Sequence, residues 1–147
     1  MKNTAPLSKT QYGIYVECSK HQGEACYNIP LIHILDASLD EGKLCKTIEE
    51  FVSVHPTLFT RIGIDEQGDP IQIIDDSETF SLEVEQTTDI EAEKARFIQP
   101  FDLLKDRLFR FRLFKDQDHY YFLIDIHHII FDGGSWMVML AEIDKAY

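Results

Sequence analysis

The stretch FRFRLFKDQDHYYFLIDIHHIIFDGGS, residues 109–135, decides how the chain is read. Phe109, Phe111 and Leu113 alternate with Arg110 and Arg112, the two-residue period of a strand that buries one face. Asp116-Gln117-Asp118 breaks the pattern with turn-forming residues, and residues 120–127 return as an aromatic-rich strand, so the segment predicts a β-hairpin. Phe131-Asp132-Gly133-Gly134 follows as a loop. Ser135 can then cap a helix whose apolar positions Trp136, Met139, Leu140, Ile143 and Tyr147 fall on one face.

Moving back along the chain, residues 90–98 predict a helix that stops before Pro100, and residues 81–86 alternate as a strand. Residues 61–65 and 70–75 read as two strands joined through Glu66-Gln67-Gly68-Asp69, with Gly68 supplying the turn. Leu44, Cys45, Ile48, Phe51 and Val52 form a helical stripe, opened by the capping-box spacing of Ser38 and Glu41 and stopped by Pro56. Residues 29–35 are a short apolar run with β-branched residues, a further strand. Strands and helices mix without regular βαβ alternation. The expectation is an α/β fold, a two-layer sandwich with a mixed β-sheet and packed helices, forming one domain over residues 1–147.

Charge sets further limits. The 147 residues carry 14 basic and 26 acidic side chains, a formal charge of −12. Eleven carboxylates fall between residues 62 and 93 with no Lys or Arg among them, a stretch that repels nucleic acid. From residue 94 to 115 the sign reverses, with Lys94, Arg96, Lys105, Arg107, Arg110, Arg112 and Lys115. Two solvated faces of opposite sign are expected, and the basic one could receive a phosphate or an acidic partner. No apolar run approaches the roughly 20 residues of a membrane span, and the first residues lack the apolar core of a secretory signal, so a cytoplasmic protein is expected. Cys18, Cys26 and Cys45 have no CxxC spacing and read as buried or half-buried thiols rather than a disulfide or zinc framework.

Hydrolase, kinase and dinucleotide signatures are absent: there is no GxSxG, no GxxxxGK[ST] and no GxGxxG. What remains is His127-His128-Ile129-Ile130-Phe131-Asp132-Gly133, at a strand end and just before a helix. Neighbouring residues on a strand point to opposite faces, so one histidine should face the interior and the other a cleft. A metal site needs three or four convergent ligands, and two divergent histidines do not supply them. Asp132 is placed to hold the loop through an arginine or a backbone N–H. Gly133 and Gly134 permit close backbone approach or positive φ. Ser135 sits where serine is a routine helix cap and lacks the frame of a nucleophile elbow.

These residues resemble the HHxxxDG motif of the condensation domains of nonribosomal peptide synthetases, members of the chloramphenicol acetyltransferase-like superfamily. The likeness extends to Pro6-Leu7-Ser8-Lys9-Thr10-Gln11-Tyr12-Gly13-Ile14-Tyr15, which resembles the family's opening motif, to Tyr27-Asn28-Ile29-Pro30, and to Gln99-Pro100-Phe101-Asp102-Leu103. It therefore runs from about residue 6 to the end and covers what resembles the amino-terminal lobe of such a domain, without the second lobe. The family's RHExLRTxF segment appears as Val54-His55-Pro56-Thr57-Leu58-Phe59-Thr60-Arg61-Ile62, with both motif arginines and the Glu replaced. Gly134 stands where many members carry Trp.

The resemblance implies amide formation between a donor acyl thioester and an acceptor aminoacyl thioester, both held on phosphopantetheine arms of peptidyl carrier proteins. No metal or cofactor of the chain's own is implied. By analogy His128 is the catalytic residue, while His127, Asp132 and Gly133 are structural and Arg61 is the candidate to steady Asp132. Gly134 and Ser135 would border the substrate channel. The missing carboxy-terminal lobe and an adenylation domain are implied partners, and the chain alone is expected to be inactive. Competing readings are an epimerization-domain lobe, which shares HHxxxDG and often Ser-Trp as in Ser135-Trp136, and a non-catalytic module that recruits carriers.

Overall fold

The computed structural model describes residues 2–132 and 134–147. The predicted hairpin forms its centre. Strands β6 (Phe109–Lys115) and β7 (His119–His127) pair antiparallel, with Phe109 opposite Ile126 and Lys115 opposite Tyr120. β2 (Asn28–Asp36) pairs antiparallel with the other edge of β7, and the short β5 (Val84–Gln86) runs parallel to β6, giving a mixed sheet ordered β2-β7-β6-β5.

The alternation along these strands sorts the two faces. Phe109, Phe111 and Leu113 join Tyr120, Phe122, Ile124 and Ile126 in the main core, closed by α2 (Glu41–Val54) and α4 (Ser135–Ala146). From α2 come Leu44, Ile48 and Val52, and from α4 Met139 and Ile143. Complete burial of such side chains contributes roughly 1.5–3 kcal/mol each, so packing of the apolar face holds these helices in place. On the reverse face, Phe114 and Leu123 are covered by Phe97 and Ile90 of α3 (Ile90–Phe97).

Two features escaped the sequence reading. Residues 2–20 form β1 (Lys2–Pro6) and α1 (Lys9–Lys20), and β1 joins β4 (Pro70–Asp75) and β3 (Thr60–Ile64) in a separate three-stranded antiparallel sheet, ordered β1-β4-β3. Its β3–β4 turn is the predicted one, with Gly68 at φ +86°. Helix α1 opens with a full capping box between Ser8 and Gln11, a signal legible in the Ser-x-x-Gln spacing. A second apolar cluster, formed by Ile14, Ile62, Phe101, Leu103, Leu108 and Ile129, ties α1 and the small sheet to the end of β7.

Three local expectations need correction. Helix α2 is capped by Asp40, whose carboxylate accepts from Lys43 N–H at 2.8 Å, and not by Ser38. The strand expected over residues 81–86 is confined to Val84–Gln86, because Leu82 N–H is taken by the Glu49 side chain at 2.7 Å. Nor is the basic stretch a free face. Arg112 forks onto Glu85, Arg107 and Arg61 share Glu78, Arg96 meets Glu93, Lys94 meets Glu91, and Arg110 lies 3.5 Å from Asp125. β5 brings Glu85 alongside Arg112 of β6, and Glu78 reaches Arg107, so part of the basic run is paired with acids of the run before it.

Candidate functional site

β7 ends at His127, and the two histidines part there. His127 faces the same side as Leu123 and Asp125, and is 3% exposed; His128 lies past the strand and is exposed. Backbone bonds fix the pair, His127 N–H to Leu108 C=O at 2.9 Å and His128 N–H to Tyr27 C=O at 2.8 Å. The Tyr27 ring lies over His127 and meets the His128 ring edge-on at 6.5 Å.

The His127 ring has one available arrangement of its proton. Its Nδ1 accepts from Ile129 N–H at 3.0 Å, so the neutral ring carries its hydrogen on Nε2, which faces the Cys18 sulfur at 3.6 Å. Burial, with His128 close by, pushes the His127 pKa down to about 4, so the ring stays neutral in ordinary buffers. Burial likewise raises the Cys18 thiol to about 11, assisted by Cys26 and Glu17. His127 is thus a wedge that shapes the turn, with no lone pair left for a reacting group. His128 has no such commitment.

Asp132 folds the following loop around itself. Its Oδ1 accepts from Gly134 N–H at 3.1 Å, Ser135 N–H at 2.9 Å and the Ser135 hydroxyl at 2.7 Å. These bonds, led by the Ser135 hydroxyl, hold its carboxyl below the usual range, and the nearby His128 adds to the effect. Of the two partners foreseen for Asp132, it therefore takes backbone N–H groups. Arg61 is corrected: its guanidinium forks onto Glu78 at 2.9 and 3.1 Å and donates to Lys105 C=O at 3.3 Å, because β3 carries it toward the Glu78 loop. Ser135 begins α4 with its hydroxyl spent on Asp132. Gly134 has φ −82°, so no left-handed backbone is needed there, and an added Cβ would meet Asp132 Oδ1 at an ordinary 3.6 Å. Gly133 lies outside the described residues.

Residues that sequence reasoning did not assign also shape the site. Gln11 Nε2 donates to Ile129 C=O at 3.0 Å and to Gln72 at 3.1 Å, linking α1 to the turn that carries His128. His55, in the segment aligned with RHExLRTxF, bonds Glu142 of α4 at 2.6 Å. A cavity of about 480 Å³ opens between the last turns of α1, residues 21–26 and residues 100–106, with Cys18, Phe101 and His127 in its wall. It lies on the His127 side, and His128 does not line it. Cys26 is exposed there, contrary to the expected half-buried thiol. Among the described residues no group of three or more His, Cys, Asp or Glu is arranged to hold a metal ion, and no helix is long and apolar enough to cross a membrane.

Comparison with known proteins gives this geometry a family. The family model for the condensation domain matches residues 1–147. A plipastatin synthase of Bacillus subtilis (strain 168) is 36% identical over 99% of this chain, and surfactin synthase subunit 1 of the same organism is 34% identical over 97%. The chain spans about 4% of each of these relatives. Among solved structures, the starter condensation domain of rhizomide synthetase superposes with a TM-score of 0.83 at 19% identity, covering 99% of this chain and 37% of that one. The first condensation domain of the CDA synthetase superposes at 0.79 with 20% identity, covering 99% and 40%. The X-domain from teicoplanin biosynthesis gives 0.80 at 23% identity, covering 97% and 32%. The buried and exposed histidines, the Asp132-ordered loop and these matches lead to one conclusion: the chain belongs to the condensation domain family of nonribosomal peptide synthetases.

Proposed function

We propose that this chain is the amino-terminal part of a domain that joins two carrier-bound thioesters, with His128 as the catalytic residue. The acceptor's amine nitrogen attacks the donor thioester carbonyl, a C–N bond forms, the C–S bond breaks, and the donor carrier leaves as a thiol. The nitrogen sheds one proton on the way. A neutral imidazole within hydrogen-bond reach can take that proton and return it to the departing sulfur, a role typically worth 10²–10⁴ in rate. Holding two tethered reactants together supplies much of the rest.

The observation that carries the reading is the division of labour between the histidines: His127 is buried with both ring nitrogens engaged, whereas His128 is exposed, with its backbone N–H on Tyr27 C=O and its ring edge-on to the Tyr27 ring. Asp132 shapes the loop beside it, and Gly134 and Ser135 would border the channel. Arg61 has no part in steadying Asp132 in this reading.

Both substrates arrive on phosphopantetheine arms, so donor and acceptor peptidyl carrier proteins are the partners, with an adenylation domain supplying the activated amino acid. No metal or cofactor of its own is required, and the setting is cytoplasmic. The chain spans 37% of the rhizomide condensation domain, and His128 is exposed rather than enclosed. A facing lobe would close the channel, so the 147 residues alone are inactive.

The test is His128→Ala in the full synthetase, supplied with two loaded carriers. Amide formation should fall at least 100-fold, as loss of a general base requires. Undiminished product would overturn the assignment and favour a module that only recruits carriers.

A further inference from the structure

The reverse face of the sheet holds a buried acid that the proposed chemistry does not use. Asp125 lies two residues before His127 on β7, is 0% exposed, and its Oδ1 has no hydrogen-bond partner. Such a group costs stability, and it stands beside two polar partners that its loss would leave without this acceptor. Its other oxygen accepts from Asn28 Nδ2 at 2.8 Å and faces Arg110 Nη1 at 3.5 Å. Burial pushes the Asp125 pKa up, opposed by Asn28 and Arg110.

Those two partners share a second target. Asn28 Nδ2 also donates to Gln99 C=O at 2.8 Å, while Arg110 donates to Gln99 C=O at 2.7 Å and to Pro100 C=O at 3.0 Å. The Arg110 guanidinium lies over the Phe101 ring at 3.8 Å, and Phe101 packs edge-on against the His127 ring at 5.9 Å. Strands β2, β6 and β7 thus each contribute one polar side chain to the group that holds this three-residue segment. That segment presses on the ring whose Nδ1 holds Ile129 N–H.

We infer that Asp125 is a positioning residue for His128: with Asn28 and Arg110 it pins the Gln99–Phe101 segment against His127, and His127 in turn sets the turn from which His128 projects. Asp125 touches no reacting group. Its charge keeps the guanidinium oriented toward the two carbonyls rather than toward solvent, and its acceptor oxygen aims the Asn28 amide. The inference rests on the condensation reading for its catalytic consequence, while its structural content stands apart from that reading.

The experiment uses Asp125→Asn and Arg110→Lys in the full-length synthetase, with loaded donor and acceptor carriers and with ¹⁵N-labelled histidine for NMR. Asp125→Asn keeps the shape and removes the charge; it should lower kcat for amide formation tenfold or more, leave KM for each carrier within twofold, and shift the His127 ring nitrogens. Arg110→Lys retains a cation but cannot fork onto both carbonyls, so it should reproduce the kcat loss in milder form; if Asp125→Asn does not fold, this variant decides alone. Wild-type kcat together with unmoved His127 signals would overturn the inference. So would a kcat loss that follows the folded fraction while the signals stay in place. Should the wild-type synthetase make no amide, the condensation reading fails, and the His127 signals then decide the positioning by themselves: a shift upholds it, none overturns it.

Discussion

Replacing His127 by Asn isolates a pH dependence that the buried ring imposes on stability. Above its ordinary pKa of 6.5 the imidazole is neutral whether the chain is folded or not. Between 6.5 and the folded value of about 4, the unfolded chain binds a proton that the folded one refuses, so stability falls as the pH drops through this window. Below it both states are charged and the loss is complete. The gap from 6.5 to about 4, at about 1.4 kcal/mol for each pH unit, amounts to about 3 kcal/mol. Asn at position 127 retains an acceptor for Ile129 N–H and does not titrate. Urea unfolding at pH 7, 6, 5 and 4, followed through Trp136, the one tryptophan of the chain, gives the difference between the two proteins. Asp125 acts in the opposite sense, since burial raises its pKa and favours the folded state as the pH falls, but it is common to both proteins and cancels. The variant should start less stable at pH 7 and close on the wild type by about 3 kcal/mol by pH 4. A difference that does not change with pH would refute the buried, neutral ring.

Two further outcomes follow from packing and charge. Glu78→Gln deprives Arg61 and Arg107 of their shared carboxylate and should cost about 2 kcal/mol at pH 7; because Arg61 and Arg107 hold the Glu78 pKa below 4.5, this contribution is present above pH 4.5 and fades as the carboxylate is protonated, so the urea midpoints should draw together as the pH falls. Ile48→Ala empties a fully buried position of α2 and should cost about 3 kcal/mol, seen as a Tm lower by roughly 9 °C in calorimetry.

The strongest local patterns were legible because they report burial directly. The 109–127 hairpin, the α2 stripe and the Gly68 turn each follow from a period or a backbone requirement confined to a few residues. The divergence of His127 and His128 was expected from strand alternation, although β7 ends at His127 and His128 lies in the turn beyond it. Which of the two is buried was supplied by family likeness alone, since both have the same chemistry and the same neighbours in sequence. The three-stranded sheet was not legible: β1 pairs with β4, placing Lys2 opposite Asp75, and its residues are all exposed and show no apolar alternation.

Local sequence, then, determined the alternating elements, the mixed α/β class and the paired histidines at a strand end, because periodicity encodes which side of each element meets the core. Tertiary structure decided the polar partnerships. Arg61 went to Glu78 rather than Asp132, the arginines of β6 to acids of β5 and β7, and Asn28 and Arg110 to the backbone before Phe101. A charged side chain bonds whatever acceptor the assembled fold brings within about 3 Å, and that proximity arises between residues dozens of positions apart only once the apolar faces have closed.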